Sequence, residues 1–206
     1  MKGRSVTARQ VSDAPGSAHL RDTAAATVGG DGSLRLFLGL RLAPETLGRV
    51  VAWQSAALTG ARGRPVPAER LHMTLAFLGR RPVADVDAVA TVLREEAGRS
   101  AVGPLVPTAY RETRSVGMVI CADPAGHATK LAERLQARLE GLGLLRPERR
   151  AWLPHLTVLR FRARPRLSPA VDGLGPVCPS DAALYHSELR SIGAQYEVLE
   201  SVALGG

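Results

Sequence analysis

Two histidines and two threonines form the pattern in this chain best suited to chemistry. His72 and Thr74 lie two residues apart in LHMTLAFLG (71–79), and His155 and Thr157 repeat that spacing in PHLTVLRF (154–161), 83 positions later. An imidazole has an ordinary pKa of about 6.5, so near neutrality one ring can take a proton while another gives one. A hydroxyl beside each ring can hydrogen-bond an oxygen on which charge develops. In an extended strand residues i and i+2 share a face. Each histidine therefore projects with its threonine. Leu71, Met73, Leu75 and Phe77 in the first stretch, and Leu156 and Val158 in the second, then project into a core.

A third His-x-Thr, His127-Ala128-Thr129, tests whether spacing alone is enough. It starts an amphipathic helix, where positions i and i+2 diverge around the axis. Lys130 follows it where the other copies have Leu75 and Val158, so His127 reads as a surface or cap residue.

The elements that must position the two motifs are legible in the apolar spacing. Strands are predicted over 34–42, 71–78 (closed by Gly79), 105–110, 116–122, 153–161, 184–192 and 196–204, and 60–65 reads as a loop. Helices are predicted over 44–58, with Pro44 and Glu45 in the first turn, over 83–97, and over 125–142. The third carries Leu131, Leu135, Leu139 and Leu142 on one side. Strands and helices alternate irregularly and several strands are neighbours in sequence. That favours an α+β fold with antiparallel pairs over a doubly wound one. A helix followed by a His-x-Thr strand occurs twice, which hints at internal duplication.

The bulk numbers narrow the class. A chain of 206 residues holds one domain with a real core, or two small lobes. The formal charge of +8 suits polyanions, but Lys2 and Lys130 are the only lysines, and arginine beside abundant Ala and Gly also fits a GC-rich coding bias. Cys121 and Cys178 are isolated thiols without metal-like spacing, which points to a reducing cytosol and away from a disulfide framework. No apolar run approaches the ~20 residues of a membrane span. Residues 1–32 have weak periodicity and no continuous apolar segment, so a flexible N-terminal extension is expected there, with the folded domain over 33–206.

RLFLGL (35–40), ERLHMTLAFLG (69–79), RRAWLPHLTVLR (149–160) and HSELRSIGAQYEVL (186–199), taken in order, resemble the two-histidine phosphoesterase superfamily. Within it they most resemble the bacterial RNA 2′,3′-cyclic phosphodiesterases, once named 2′-5′ RNA ligases. The similarity runs over about 33–204; one departure is at 117–122, where relatives often carry an aromatic and this chain has Ile120 and Cys121. The resemblance implies a bilobal, pseudo-two-fold α+β fold, with mainly antiparallel sheets, helices packed outside and a central cleft. It implies a substrate with a 2′,3′-cyclic phosphate, at an RNA end or on a nucleotide, opened to a 2′-phosphomonoester without metal or other cofactor. His72 would protonate the leaving 3′ oxygen and His155 activate water, although the pseudo-symmetry leaves these two roles open from sequence alone. Thr74 and Thr157 would hold the non-bridging oxygens. A cytoplasmic monomer with no membrane association is the accompanying expectation.

Arg160 is the further candidate phosphate contact, since relatives carry the same arginine. Strict alternation puts it on the face opposite His155, so a bulge or a strand end is required. Phe37, Tyr196 and Trp152 could stack on a base or simply fill the core, and the arginines of 146–150 could steer RNA or form a solvated turn. Other readings keep the fold and change the substrate to small nucleotides or ADP-ribose cyclic phosphate, or run the reaction backwards to join RNA ends. An RNA-binding module with an idle site conflicts with the intact histidines and threonines. A metal-dependent phosphatase needs carboxylates near these strands, and the sequence places none there.

Overall fold

Strand β1 (Ser33–Leu42) holds Leu36, Leu38 and Leu40 fully buried. These leucines share one face and the buried Phe37 lies on the other, and both edges of β1 are paired within a sheet. It pairs antiparallel with β3 (Met73–Pro82) on one side and with β7 (Pro179–Arg190) on the other. Strand β8 (Gly193–Ala203) completes this first sheet in the order β3-β1-β7-β8. The second sheet has the order β2-β6-β5-β4, built from β2 (Arg64–Pro65), β4 (Val106–Glu112), β5 (Val116–Ala122) and β6 (His155–Arg160). This computed structural model describes residues 32–147, 150–190 and 193–205. The expected 1–32 extension lies, except for Gly32, outside the described residues.

Among the described residues three α-helices accompany the sheets. Helix α1 (Pro44–Ala57) begins with its proline in the first turn and buries Thr46, Val50, Trp53 and Gln54. Helix α2 (Val86–Ala97) buries Val86, Val89, Ala90, Val92 and Leu93, after a short 3-10 turn at Val83–Asp85. Helix α3 (His127–Gly141) buries Ala128, Leu131, Ala132, Leu135 and Leu139. Leu142 leaves the predicted stripe: it caps the helix just past the last turn and is 56% exposed. The fully buried Glu96 joins α2 to α3. Burial pushes its pKa up, but hydrogen bonds from Arg99, Arg134 and Arg138 outweigh this and hold the carboxyl below its ordinary range.

The α+β class with antiparallel pairing is what the sequence leads one to expect, and several bounds differ. Strand β3 does not stop at Gly79 but continues to Pro82, because Ser33 to Arg35 of β1 supply partners for Pro82 to Arg80. Gly79 has φ +73°, a left-handed conformation that glycine adopts without steric cost. The predicted loop at 60–65 contains β2, which pairs with Leu159 and Arg160. Strands β7 and β8 start earlier than predicted and form one long antiparallel pair. The hint of duplication is visible as topology: β1-α1-β3 and β5-α3-β6 each pair an inner strand with the motif strand that comes after a helix. Among the described residues no helix is long and apolar enough to cross a membrane.

Candidate active site

Strands β3 and β6, one from each sheet, pack against one another. His72 immediately precedes β3 and His155 opens β6, and both rings are held in the same way. The Nδ1 of His72 lies 2.8 Å from the Arg70 carbonyl oxygen, and the Nδ1 of His155 lies 2.8 Å from that of Leu153. A carbonyl only accepts, so Nδ1 carries the proton in each ring and Nε2 is left for the cleft. Gly39 makes room for the first ring. A Cβ there would meet the Met73 carbonyl oxygen at 3.2 Å and His72 Cδ2 at 3.3 Å.

Each motif strand carries a bulge directly after its threonine. Along β6 the register with β5 runs Ile120–His155, Val119–Leu156, Met118–Thr157, then Gly117–Leu159, which leaves Val158 as the extra residue. Along β3 the register with β1 runs Gly39–Thr74, then Leu38–Ala76, which leaves Leu75 extra. A bulge shifts the phase of alternation by one residue. Val158 and Leu159 are therefore both buried, and Arg160 emerges exposed on the side of His155 and Thr157. The requirement attached to Arg160 is met. In β3 the same shift corrects an expectation: Phe77 does not enter the core but is 49% exposed, and Ala76 is buried instead. Phe77 is thus the counterpart of Arg160 in the first strand, and the Arg35 guanidinium sits 4.8 Å from its ring centroid.

The sheets bring the motif residues together crosswise. His72, Thr157 and Arg160 line one cavity of about 180 Å³, with Arg64, Pro65, Arg70 and Tyr196 around them. His155 and Thr74 line a second, more open cavity of about 860 Å³, with Phe77, Met118 and Trp152 on its walls. Each imidazole thus shares a cavity with the hydroxyl of the other strand. The indole Nε1 of Trp152 ties the strands together by donating to the Thr74 carbonyl at 2.8 Å.

The surroundings of the two rings differ. His72 faces Phe37 at 4.8 Å, Tyr196 at 5.3 Å and Tyr185 at 5.6 Å between ring centroids. This burial lowers its pKa to about 4; the Arg70 carbonyl opposes the shift, and the charges of Arg160 and His155 add to it. The free ring is therefore neutral at pH 7. Phe37 is 3% exposed and stacks on Tyr185 at 4.6 Å, so of its two readings the core holds. Tyr196 is half-buried and its hydroxyl lies 3.5 Å from an Arg160 nitrogen. His127 is exposed in the first turn of α3, as its helical context requires. Arg146 and Arg150 line the larger cavity, while Glu148 and Arg149 lie outside the described residues. Among the described residues no three or more His, Cys, Asp or Glu side chains gather as metal ligands.

Sequence reasoning misses Phe77, Arg64, Arg70 and Tyr185 as parts of the site. Phe77 is accessible through the 83-residue offset, which maps it onto Arg160; Arg64 comes from β2, Arg70 from the 3-10 turn before His72 and Tyr185 from β7, and their placement needs the fold.

The chain is similar to several known proteins. The family described as LigT like Phosphoesterase matches residues 40–102. The RNA 2′,3′-cyclic phosphodiesterase of Thermus thermophilus is 34% identical over 189 residues, spanning 84% of this chain and 91% of its own length. The RNA 2′,3′-cyclic phosphodiesterase of Escherichia coli is 25% identical over 181 residues, 82% of this chain and 96% of its own. A crystal structure from T. thermophilus superposes with a TM-score of 0.71 at 31% identity, covering 84% of this chain and 99% of that one. A relative this similar, matched along nearly its full length to a chain that carries both His-x-Thr strands, places this protein in the LigT-like phosphoesterase family.

Proposed function

We propose that this protein opens 2′,3′-cyclic phosphates at RNA ends to 2′-phosphomonoesters, with His72 and His155 as its acid–base pair. The observation that carries this reading is the crosswise arrangement in which each imidazole shares a cavity with the threonine of the other strand, with Arg160 beside His72 and Thr157. The name of the 34% identical relative supports the substrate class.

Water attacks phosphorus in line with the departing 3′ oxygen. His155 Nε2 takes the proton from water as the new P–O bond forms. The P–O3′ bond breaks, and O3′ receives a proton from His72 Nε2. Thr74, Thr157 and Arg160 hydrogen-bond the non-bridging oxygens as charge builds on them. The smaller cavity favours this division of roles, because Tyr196 and the prolines at 65 and 67 give the ribose and base a walled place beside His72. The open cavity gives water access to His155. A His72 held neutral in the free enzyme takes up its proton together with the anionic substrate, whose charge offsets Arg160. The two free thiols fit a reducing compartment, which supports the reading of a cytoplasmic enzyme.

The test incubates the protein with 2′,3′-cyclic AMP and with a cyclic-ended oligonucleotide, with and without chelator. The expected result is a 2′-phosphate product at a rate that chelator does not change. A 3′-phosphate product, or loss of turnover with chelator, overturns the mechanism.

A further inference from the structure

The bulge residues Val158 and Leu75 each have a backbone carbonyl that accepts a hydrogen bond from a helix glutamine. Gln54 of α1 donates from Nε2 to the Val158 carbonyl at 2.7 Å and lies 3.0 Å from that of Val66. Gln136 of α3 donates from Nε2 to the Leu75 carbonyl at 2.7 Å. The glutamines stand 82 positions apart, almost the motif offset. Their pairing is crosswise. Helix α1 follows β1 of the first sheet, yet Gln54 serves β6 of the second; α3 follows β5 of the second sheet, yet Gln136 serves β3 of the first.

Gln54 is 4% exposed on a helix face otherwise formed by Thr46, Val50 and Trp53. A buried amide is costly unless bonded, and its two carbonyl acceptors hold together the parts that shape the smaller cavity. Val66 belongs to the cavity wall, and its own N–H donates to the Val158 carbonyl at 2.9 Å. Val158 is the residue whose extra step turns Arg160 outward.

We propose that Gln54 and Gln136 are reciprocal positioning residues: each sets, across the sheet boundary, the bulge that delivers the side chain three residues beyond the other half's threonine. Gln54 thereby places Arg160, and Gln136 places Phe77. This rests on the reading of Arg160 as a phosphate contact, so the test includes a readout separate from turnover.

The experiment is a double-mutant cycle of Gln54→Met, similar in volume but without a donor, with Arg160→Ala. Hydrolysis of 2′,3′-cyclic AMP, affinity for inorganic phosphate and thermal midpoint are measured. Gln54→Met alone should lower kcat/KM about tenfold and weaken phosphate binding several-fold, and in the Arg160→Ala background it should cost less than about twofold. An equal penalty in both backgrounds would show a structural amide only and overturns the proposal, as does an unchanged kcat/KM. If wild type binds phosphate but does not hydrolyse the cyclic nucleotide, the functional reading fails while the phosphate cycle still decides the positioning role. Should Gln54→Met not fold, the half-buried Gln136→Met is read against Phe77→Ala. Coupling to Phe77 and additivity with Arg160→Ala supports the crosswise assignment, and the reverse pattern sinks it.

Discussion

Strands β3 and β6 share an imidazole, a hydroxyl and a bulge, but they differ in the surroundings of the ring and in the side chain presented after the bulge. Three aromatic rings and a close glycine enclose His72, whereas His155 opens onto the larger cavity, with Met118 of β5 paired opposite Thr157 where β1 has Gly39 opposite Thr74. Beyond the bulge β3 presents Phe77 and β6 presents Arg160. The backbone plan is thus duplicated while the chemistry is divided. In-line displacement needs that division, since one side of phosphorus carries the sugar and the other carries water.

Replacing either ring is the largest perturbation. His72→Ala and His155→Ala should each lower kcat by about 10²- to 10⁴-fold while leaving a folded protein, checked by turnover of 2′,3′-cyclic AMP and by circular dichroism. Near-normal turnover in both would break the pairing. The post-bulge positions should then separate. Arg160→Ala should cost about 10- to 100-fold in kcat/KM by loss of a charge-assisted contact, and Phe77→Ala less than about fivefold. Equal losses would mean that the two positions are not chemically distinct.

Glycine 39 sharpens the comparison further. Gly39→Ala forces the Met73 carbonyl or the His72 ring to move, and a cost of about 1–2 kcal/mol in unfolding free energy is expected from denaturant titration. The smallest effect is on pH. With His72 at about 4 in the free enzyme, the acid limb of kcat/KM should lie near that pH. Because the Arg160 charge lowers the pKa of His72, Arg160→Ala should move this limb upward. Burial is the larger cause and is retained, so the limb should stay below the ordinary imidazole value.

Much of the site is legible in the sequence, because period-two alternation and the strand context of His72 and His155 carry the information locally. The third copy at His127 is separable for the same reason: its neighbours have helical spacing. Unbroken alternation misplaces Phe77, because a bulge is a backbone event with no composition of its own. Arg160 reaches its correct face only on condition of that event. Gln54 and Gln136 give no signal, since a buried glutamine in a helix looks like a surface one until its carbonyl partners are known. Apolar patterning makes β7 and β8 too short, because Pro179 to Ala183 and the residues after 192 owe their extended form to cross-strand pairing with β1 and with each other.

The first sheet is completed by the last strands of the chain: β1 cannot fill its second edge until Pro179–Arg190 is available. During synthesis the backbone edge of β1 that pairs with β7 therefore stays open for most of the time it takes to make this protein. Closure of that long loop should be the slow event in folding, and a nascent chain released early would present an open, aggregation-prone strand instead of half an enzyme.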